Sequence, residues 1–185
     1  MAEFHRSAAS TWSGDLKSGS GVVSTQSGAL TDTKITYVSR FENGGGSNPE
    51  ELLGAAHAAC YSMFLSAILS SAGHVPTSIA TEARVTLLSG EGGPKITKIH
   101  LVTEGAVPGI DGATFEEFAT NAKNGCPVSK LLAPGLEEMT LEARLVGARI
   151  QNGQHPRCSC KERNRSLMPL KAPLPRWERG LGGGP

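Results

Sequence analysis

Two cysteines within the first 147 residues are the side chains best suited to chemistry. Cys60 lies in the middle of a long apolar stretch, and Cys126 stands between Gly125 and Pro127. A thiolate is a strong nucleophile, and its oxidation gives a sulfenic acid. Free cysteine is also among the most buried residue types, so position alone leaves a simple packing role open for Cys60.

Charged residues around the start of the apolar stretch favour a reactive thiol. Arg40 precedes this stretch, and Glu50 and Glu51 open it. Burial raises the pKa of a thiol because desolvation opposes the charge, and a nearby arginine reverses that preference. A carboxylate can hold the arginine in position. Cys126, at the predicted start of a later helix, would have its thiolate stabilised by free backbone N–H groups.

This combination of groups suits the cleavage of a peroxide. A thiolate attacks one peroxide oxygen, the other leaves as an alcohol, and a second thiol condenses with the resulting sulfenic acid to form a disulfide. An external dithiol must then reduce that disulfide. Two alternatives remain open: a general thiol–disulfide oxidoreductase, although the cysteines do not form a Cys-x-x-Cys motif, and a small-molecule or stress-linked binding protein with inert buried cysteines.

The spacing along the chain limits how these groups can meet. Glu50 precedes Cys60 by ten residues, which is a rise of ~15 Å on a straight helix. The two side chains therefore cannot touch within one helix. Either Glu50 acts through Arg40 after a bend of the chain, or a second subunit supplies part of the site, which implies a dimer.

The longest predicted element is a helix over residues 49–71. Asn48 and Pro49 provide a cap residue and a first-turn proline, and Gly73 and Pro76 end the element. Helical spacing predicts one apolar face for it. That face consists of residues 52, 53, 56, 60, 63, 64, 67 and 68.

Strands are predicted before and after this helix. Alternation predicts a strand that runs through residues 35–41, a pair of strands around residues 82–87 and 95–107, and a last strand over residues 139–145. A second helix is predicted to begin with a capping box at residues 114–117, and a shorter helical stretch covers residues 128–133. The order predicts an α+β fold with a mostly antiparallel sheet.

Charge divides the chain into two predicted parts. Residues 1–147 hold 10 basic and 15 acidic residues, a net charge of −5, whereas residues 148–185 hold 8 basic and 2 acidic residues, a net charge of +6. We therefore predict one domain over residues 1–147 and a disordered, Pro/Gly-rich basic tail over residues 148–185. Cys158, Cys160 and His155 in the tail are a weak metal signal, and its basic charge is no specific sign of nucleic-acid binding.

The N-terminal segment and the apolar stretch bear on the compartment. The start of the chain lacks the apolar run of a secretory signal, so we expect a cytoplasmic protein whose cysteines face a reducing environment. The stretch from Leu52 to Leu69 has nearly the length of a membrane span, but it is rich in Ala and Ser and contains His57. We predict a buried helix and no membrane association.

Five motifs carry a resemblance to a known family. They are Arg40-Phe41-Glu42, Asn48-Pro49-Glu50-Glu51-Leu52-Leu53-Gly54-Ala55-Ala56-His57-Ala58-Ala59-Cys60, Pro76-Thr77-Ser78-Ile79, Val107-Pro108-Gly109-Ile110-Asp111 and Asn124-Gly125-Cys126-Pro127-Val128-Ser129. In order and spacing, the chain from about Trp12 to Val146 closely resembles the OsmC family of osmotically inducible proteins. The organic hydroperoxide resistance (Ohr) branch shares the Asn-Pro-Glu and both cysteine motifs, but the setting of Arg40 is more similar to the OsmC branch.

The resemblance implies a fold, an assembly and a set of roles. It implies an OsmC-like fold of antiparallel sheets around long central helices, in an intertwined homodimer with its active sites at the subunit interface. It implies reduction of organic hydroperoxides without haem, flavin or metal. Cys60 would be the peroxidatic thiol, Cys126 the resolving thiol, and Arg40 and Glu50 the activating pair. In the Ohr branch a lipoylated protein reduces the disulfide, and we expect a reductant of this kind for this chain.

Two further questions stay open at the level of sequence. His57 lies one helical turn before Cys60, where it could serve as a base for the thiol or as a packing residue with a local hydrogen bond. Met63, Phe64 and Leu65 could belong to the core or line a pocket for an alkyl group. The apolar residues near Cys60 favour organic peroxides over hydrogen peroxide.

Overall fold

The computed structural model describes residues 2–147, and these form two three-stranded sheets, four helices and a short 3-10 turn. The described residues show the predicted α+β class. The elements are β1 (Ala8–Ser13), β2 (Ser20–Thr25), β3 (Thr33–Thr36), α1 (Tyr37–Phe41), α2 (Pro49–Ser71), β4 (Ser78–Leu88), β5 (Lys95–Ala106), α3 (Gly112–Gly125), α4 (Pro127–Leu132), a short 3-10 turn (Ala133–Gly135) and β6 (Glu138–Leu145). The predicted tail at 148–185, with Cys158, Cys160 and His155, lies outside the described residues.

The first sheet is an antiparallel meander in the order β1-β2-β3. The strand predicted through residue 41 is wrong beyond Thr36, where the chain turns into α1. Thr36 and Ser39 form a reciprocal cap, in which each side-chain oxygen accepts from the other residue's backbone N–H at 2.9 Å. This local capping outweighs the alternating pattern, and it places Arg40 on a short helix.

Helix α2 has the predicted bounds. The Asn48 side chain accepts from the backbone N–H of Glu51 at 2.9 Å, and Pro49 occupies the first turn. At the other end, Gly73 adopts a positive φ of 87°, the left-handed conformation in which glycine commonly follows a helix.

The face of α2 that is buried within the chain differs from the predicted one. Its fully buried side chains are His57, Tyr61, Leu65 and Leu69. Of the predicted face, residues 56, 63 and 67 are exposed and the others are partly buried. Apolar residues surround this helix almost completely, so periodicity could not single out the buried side.

Gly54 lets α2 approach β4 closely. A Cβ at this position would lie 2.9 Å from the carbonyl oxygen of Ala83, which is closer than side-chain carbons come to backbone atoms. By length and composition alone α2 could also cross a membrane, with a mean hydropathy of 1.6. Its contacts with β4 and α3 instead make one side of it the centre of this chain's core.

The second sheet has the order β4-β5-β6. Strands β4 and β5 form an antiparallel hairpin, as predicted, but β6 lies parallel to β5. The reason is the connection between them: α3 and α4 carry the chain back before β6 begins, as in a crossover. The expectation of mostly antiparallel strands holds for the two sheets together, with this one parallel pair as the exception.

The core lies between α2, α3 and the second sheet. Its buried residues are Tyr61, Leu65, Leu69, Ile99, Leu101, Val107, Phe115, Ala119, Ala122 and Cys126. Strand β1 is exposed along its whole length, and the first sheet contributes no residue to this cluster.

The N-terminal cap of α3 is Asp111, whose side chain accepts a hydrogen bond from the backbone N–H of Thr114 at 2.8 Å. The capping box predicted at residues 114–117 is therefore wrong by one helical turn.

Candidate active site

The structure brings the two cysteine sulfurs into contact. The Sγ atoms of Cys60 and Cys126 lie 3.3 Å apart, and both residues are free thiols. Cys126 is fully buried in the core, whereas Cys60 is partly exposed. A disulfide needs a sulfur–sulfur distance of about 2.05 Å, so only a small movement separates this arrangement from a covalent bond.

Cys126 is held at the junction of two helices. Its N–H donates to the carbonyl of Ala122 at 2.9 Å and so closes α3, and its own carbonyl accepts from Lys130 at 3.0 Å at the start of α4. Gly125 allows this junction to approach α2, because a Cβ there would lie 2.7 Å from the Phe64 ring. The sequence placed Cys126 at the start of a helix, and the structure shows it as the N-cap of α4.

The surroundings of Cys60 within one chain favour the neutral thiol. Burial is the main cause that raises the pKa of Cys60 above its ordinary value of 9.0, and the neighbouring Cys126 raises it further. The backbone N–H of Val128 acts in the opposite direction by hydrogen bonding to the sulfur. A thiolate at neutral pH therefore needs a positive charge beyond these contacts.

Arg40 and Glu50 form a tight ion pair, as the sequence predicted. The Arg40 Nη2 atom lies 2.9 Å from Glu50 Oε1, and its Nε donates to both carboxylate oxygens at 3.2 and 3.3 Å. Glu50 is buried and Arg40 is half-buried. Such a bidentate contact fixes the orientation of the guanidinium group.

The two pairs do not meet within a single chain. Among residues 2–147, no hydrogen bond or ion pair joins Arg40 or Glu50 to Cys60 or Cys126. Helix α2 carries Glu50 in its first turn, and ten residues of regular helix, ~15 Å, separate it from Cys60. Contact between Arg40 and Glu50 is thus present, but Arg40 does not reach the thiol of its own chain.

His57 is engaged with α4 and not with Cys60. Its Nε2 atom lies 2.7 Å from the hydroxyl of Ser129, and both side chains are fully buried. Burial lowers the pKa of His57, so the neutral ring is favoured. Of the two sequence interpretations, the structure favours a packing histidine with a hydrogen bond, although the partner is distant in sequence.

Sequence reasoning missed Ser129 as the hydrogen-bond partner of His57. The residue ends the Asn124-Gly125-Cys126-Pro127-Val128-Ser129 motif, and its position one helical turn after Cys126 was the signal that could have revealed it.

The three apolar residues considered for a pocket differ in their burial. Leu65 belongs to the core, Phe64 packs partly against it, and Met63 is 75% exposed. Within the part of the chain that the structure describes, no cluster of His, Cys, Asp and Glu could hold a metal ion.

Comparison with known proteins assigns this chain to a family. The family model of OsmC-like proteins matches residues 42–138. Peroxiredoxin OsmC of Escherichia coli strain K12 is 50% identical over 141 residues, which cover 76% of this chain and 96% of the relative. Peroxiredoxin OsmC of Shigella flexneri matches to the same extent. The chain therefore belongs to the OsmC family.

Solved structures agree with the fold. The organic hydroperoxide resistance protein OhrB of Bacillus subtilis superimposes with a TM-score of 0.58 at 26% identity, and covers 74% of this chain and 97% of its own. An organic hydroperoxide resistance protein OsmC from Legionella pneumophila superimposes with a TM-score of 0.60 at 22% identity, over 79% of this chain and 100% of its own. Together with the peroxiredoxin relatives, the family supports a peroxidase-type stress protein.

Proposed function

We propose that this chain is a thiol peroxidase that reduces organic hydroperoxides to alcohols through Cys60 and Cys126. The observation that carries the proposal is the 3.3 Å contact between two free thiols on separate elements of the core. Their unequal exposure supports the assignment of roles. The partly exposed Cys60 is the thiol that a peroxide can reach, and the buried Cys126 is placed to resolve its oxidised form.

The proposed catalytic cycle has three steps. The Cys60 thiolate attacks one peroxide oxygen, the O–O bond breaks, and the departing alkoxide takes up a proton to become the alcohol. Cys60 is left as a sulfenic acid, which the Cys126 thiol attacks to form the disulfide and release water. A dithiol then reduces the disulfide and supplies two electrons and two protons. A lipoylated protein is our candidate for this dithiol, in a reducing cytosol.

A homodimer would complete the site. The Arg40–Glu50 pair does not reach Cys60 of its own chain, so we propose that the same pair on a second subunit supplies the positive charge. Two observations support the assembly: α2 leaves an apolar side open, with Met63 75% exposed, and the first sheet lies outside the core cluster of the chain. A second copy would cover both.

The apolar surroundings of Cys60 support an organic substrate. Phe64 lies beside the core on the same helix, and the exposed Met63 offers a flexible apolar contact. An alkyl group would gain from burial there, whereas hydrogen peroxide would not. Solved relatives are described as organic hydroperoxide resistance proteins, which agrees with this choice.

Turnover of tert-butyl hydroperoxide with a dithiol reductant tests the proposal. We expect the wild type to consume the peroxide, Cys60→Ser to be inactive, and Cys126→Ser to lose activity as Cys60 becomes overoxidised. Hydrogen peroxide, tested in parallel, should be consumed more slowly. If the wild type shows no turnover and both thiols survive, the enzyme assignment is wrong and a binding protein on this fold becomes the better account.

A further inference from the structure

The hydrogen bond between His57 and Ser129 joins the two elements that carry the cysteines. His57 lies on α2, three residues before Cys60, and Ser129 lies on α4, three residues after Cys126. Each is therefore one helical turn from its cysteine. The bond is 2.7 Å long between two side chains with essentially no exposure, 0% for His57 and 1% for Ser129.

Helix α4 depends on such contacts for its position. It has only six residues, too few to be a stable helix by itself, and Leu131 on its outer side is 77% exposed. Among the described residues, three hydrogen bonds join α4 and its N-cap to α2: Ser129 with His57, Cys126 with Cys60, and the Val128 N–H with the Cys60 sulfur. The last two involve the sulfur that is oxidised, whereas the His57–Ser129 bond does not depend on the state of that sulfur.

We propose that the His57–Ser129 hydrogen bond is a latch that holds Cys126 against Cys60 while the sulfenic acid is present. This inference rests on the proposed function. His57 and Ser129 are positioning residues, since neither touches the peroxide, and their task is to make resolution faster than further oxidation.

Two reactions of the sulfenic acid compete, and the latch would decide between them. In the first, the Cys126 thiol attacks the Cys60 sulfur, an S–S bond forms, and the hydroxyl group leaves as water. In the second, another hydroperoxide oxidises the same sulfur to a sulfinic acid and becomes an alcohol as its O–O bond breaks. The first reaction depends on the distance between the sulfurs, and small misplacements of reacting groups can cost orders of magnitude in rate.

The test measures the partition between disulfide and sulfinic acid after exposure to tert-butyl hydroperoxide, by mass spectrometry of the Cys60 peptide. Ser129→Ala and His57→Asn each remove the bond, the second because the shorter side chain no longer reaches Ser129. We expect the sulfinic fraction per turnover to rise about tenfold in both variants, since geometry controls the resolving step. The rate of the first oxidation of Cys60 should stay unchanged, and Ser129→Thr, which keeps the hydroxyl, should restore the wild-type partition.

Ser62→Ala is the matched control. Ser62 also lies on α2 and makes a 2.8 Å hydrogen bond, but to Thr81 on β4 and away from α4. This variant should lose a comparable bond and keep the wild-type partition. If it shifts the partition as much as Ser129→Ala does, general loosening explains the effect and the latch is refuted.

A second readout separates this inference from the proposed function. Diamide, an azo oxidant, takes two electrons and two protons from a pair of thiols and forms the disulfide without any peroxide. Disulfide formation with diamide should be about tenfold slower in the two latch variants, whether or not the wild type is a peroxidase. The inference is wrong if a folded Ser129→Ala or His57→Asn variant forms the disulfide with diamide at the wild-type rate and also keeps the wild-type ratio of disulfide to sulfinic acid. If only one of the two variants folds, the result for that variant is decisive.

Discussion

At the scale of single residues, the contacts of Cys60 within its own chain favour the neutral thiol over the thiolate. Burial and Cys126 both raise the pKa of this thiol, and the Val128 N–H opposes them. The Arg40–Glu50 pair is built to present a fixed guanidinium group, with its carboxylate buried. In the proposed dimer, this guanidinium group would lie beside the Cys60 thiol of the second subunit and would stabilise its thiolate.

Replacement of Arg40 by methionine tests that electrostatic role. Loss of the cation should raise the apparent pKa of Cys60 by about one unit or more and slow its reaction with hydroperoxide about 100-fold. The pH dependence of alkylation of Cys60 reports the pKa. Arg84→Met is the control, since Arg84 forms a comparable pair with Glu82 on the surface at 2.9 Å. Equal effects of the two substitutions would contradict a specific role for Arg40.

Burial of neutral His57 should make stability depend on pH. Burial holds the pKa of His57 below its ordinary value of 6.5, so the unfolded chain binds a proton at a higher pH than the folded one. Stability should therefore be lost as the pH falls from about 6.5 towards the folded pKa, and not above that range. Urea denaturation between pH 7.5 and 5, measured at about 0.5-unit steps, should show a weaker acid-side loss in His57→Gln. An equally steep loss in that variant would contradict this account.

The residues of the candidate site and the pairing of Arg40 with Glu50 were predicted from the sequence, but the hydrogen bond of His57 was not. Both cysteines and the Arg40–Glu50 pair were identified from residue types and motifs, and the structure shows each pair in contact. The partner of His57 was not predicted because Ser129 lies 72 residues away, and only the path of α3 and α4 brings it near. The position of Ser129 one helical turn after Cys126 was the indication of this contact that the sequence offered.

At the scale of elements, the position of α2 against β4 is set by the absence of a side chain at Gly54. An alanine there would place its Cβ 2.9 Å from the Ala83 carbonyl oxygen, a backbone atom that cannot move without shifting the strand. Because Cys60 lies on the same helix, less than two turns further on, such a shift would also affect the distance between the two sulfurs.

The substitution Gly54→Ala should destabilise the protein by about 1–3 kcal/mol even though alanine is the better helix former. Gly112→Ala, at the start of α3 where an added Cβ meets nothing within 4 Å, should be neutral or stabilising by up to about 1 kcal/mol. Urea unfolding at fixed protein concentration measures both changes. A stabilising Gly54→Ala would show that the close approach to β4 does not constrain the helix.

Some helices and strands were predicted correctly from sequence patterns, and others were not. Helix α2 was predicted with its bounds because its caps are local signals, an asparagine before a proline and a glycine after the last turn. The chain at Tyr37–Phe41 was predicted as a strand because the cap between Thr36 and Ser39 was not recognised. The parallel pairing of β6 depends on the path of the connection, which alternation along a strand cannot reveal.

At the scale of the whole molecule, one chain leaves much of its apolar surface uncovered. One side of α2 is open, and the first sheet stands apart from the core cluster. Solvent-exposed apolar surface of this kind commonly marks an interface. A dimer would account for both features and for the absence of a hydrogen bond between Arg40 and Cys60 among residues 2–147.

A charge placed on the open side of α2 should disrupt the proposed dimer and the proposed peroxidase activity together. We expect Met63→Glu to give a monomer in analytical ultracentrifugation and to lower peroxidase activity at least about tenfold, because a carboxylate would be buried unpaired at the interface. Leu88→Glu is the control, at an exposed apolar residue (55% exposed) that ends β4. A monomeric wild type with full activity would contradict a shared site.

The most direct test of the two-thiol mechanism is the fate of both thiols after one equivalent of tert-butyl hydroperoxide. The wild type, fully reduced and freed of reductant, would be treated, alkylated under denaturing conditions and analysed as peptides. The account predicts loss of both thiols in the first 147 residues, a disulfide that joins the Cys60 and Cys126 peptides, and one equivalent of tert-butanol. Survival of both thiols, or a disulfide that omits Cys60, would contradict it.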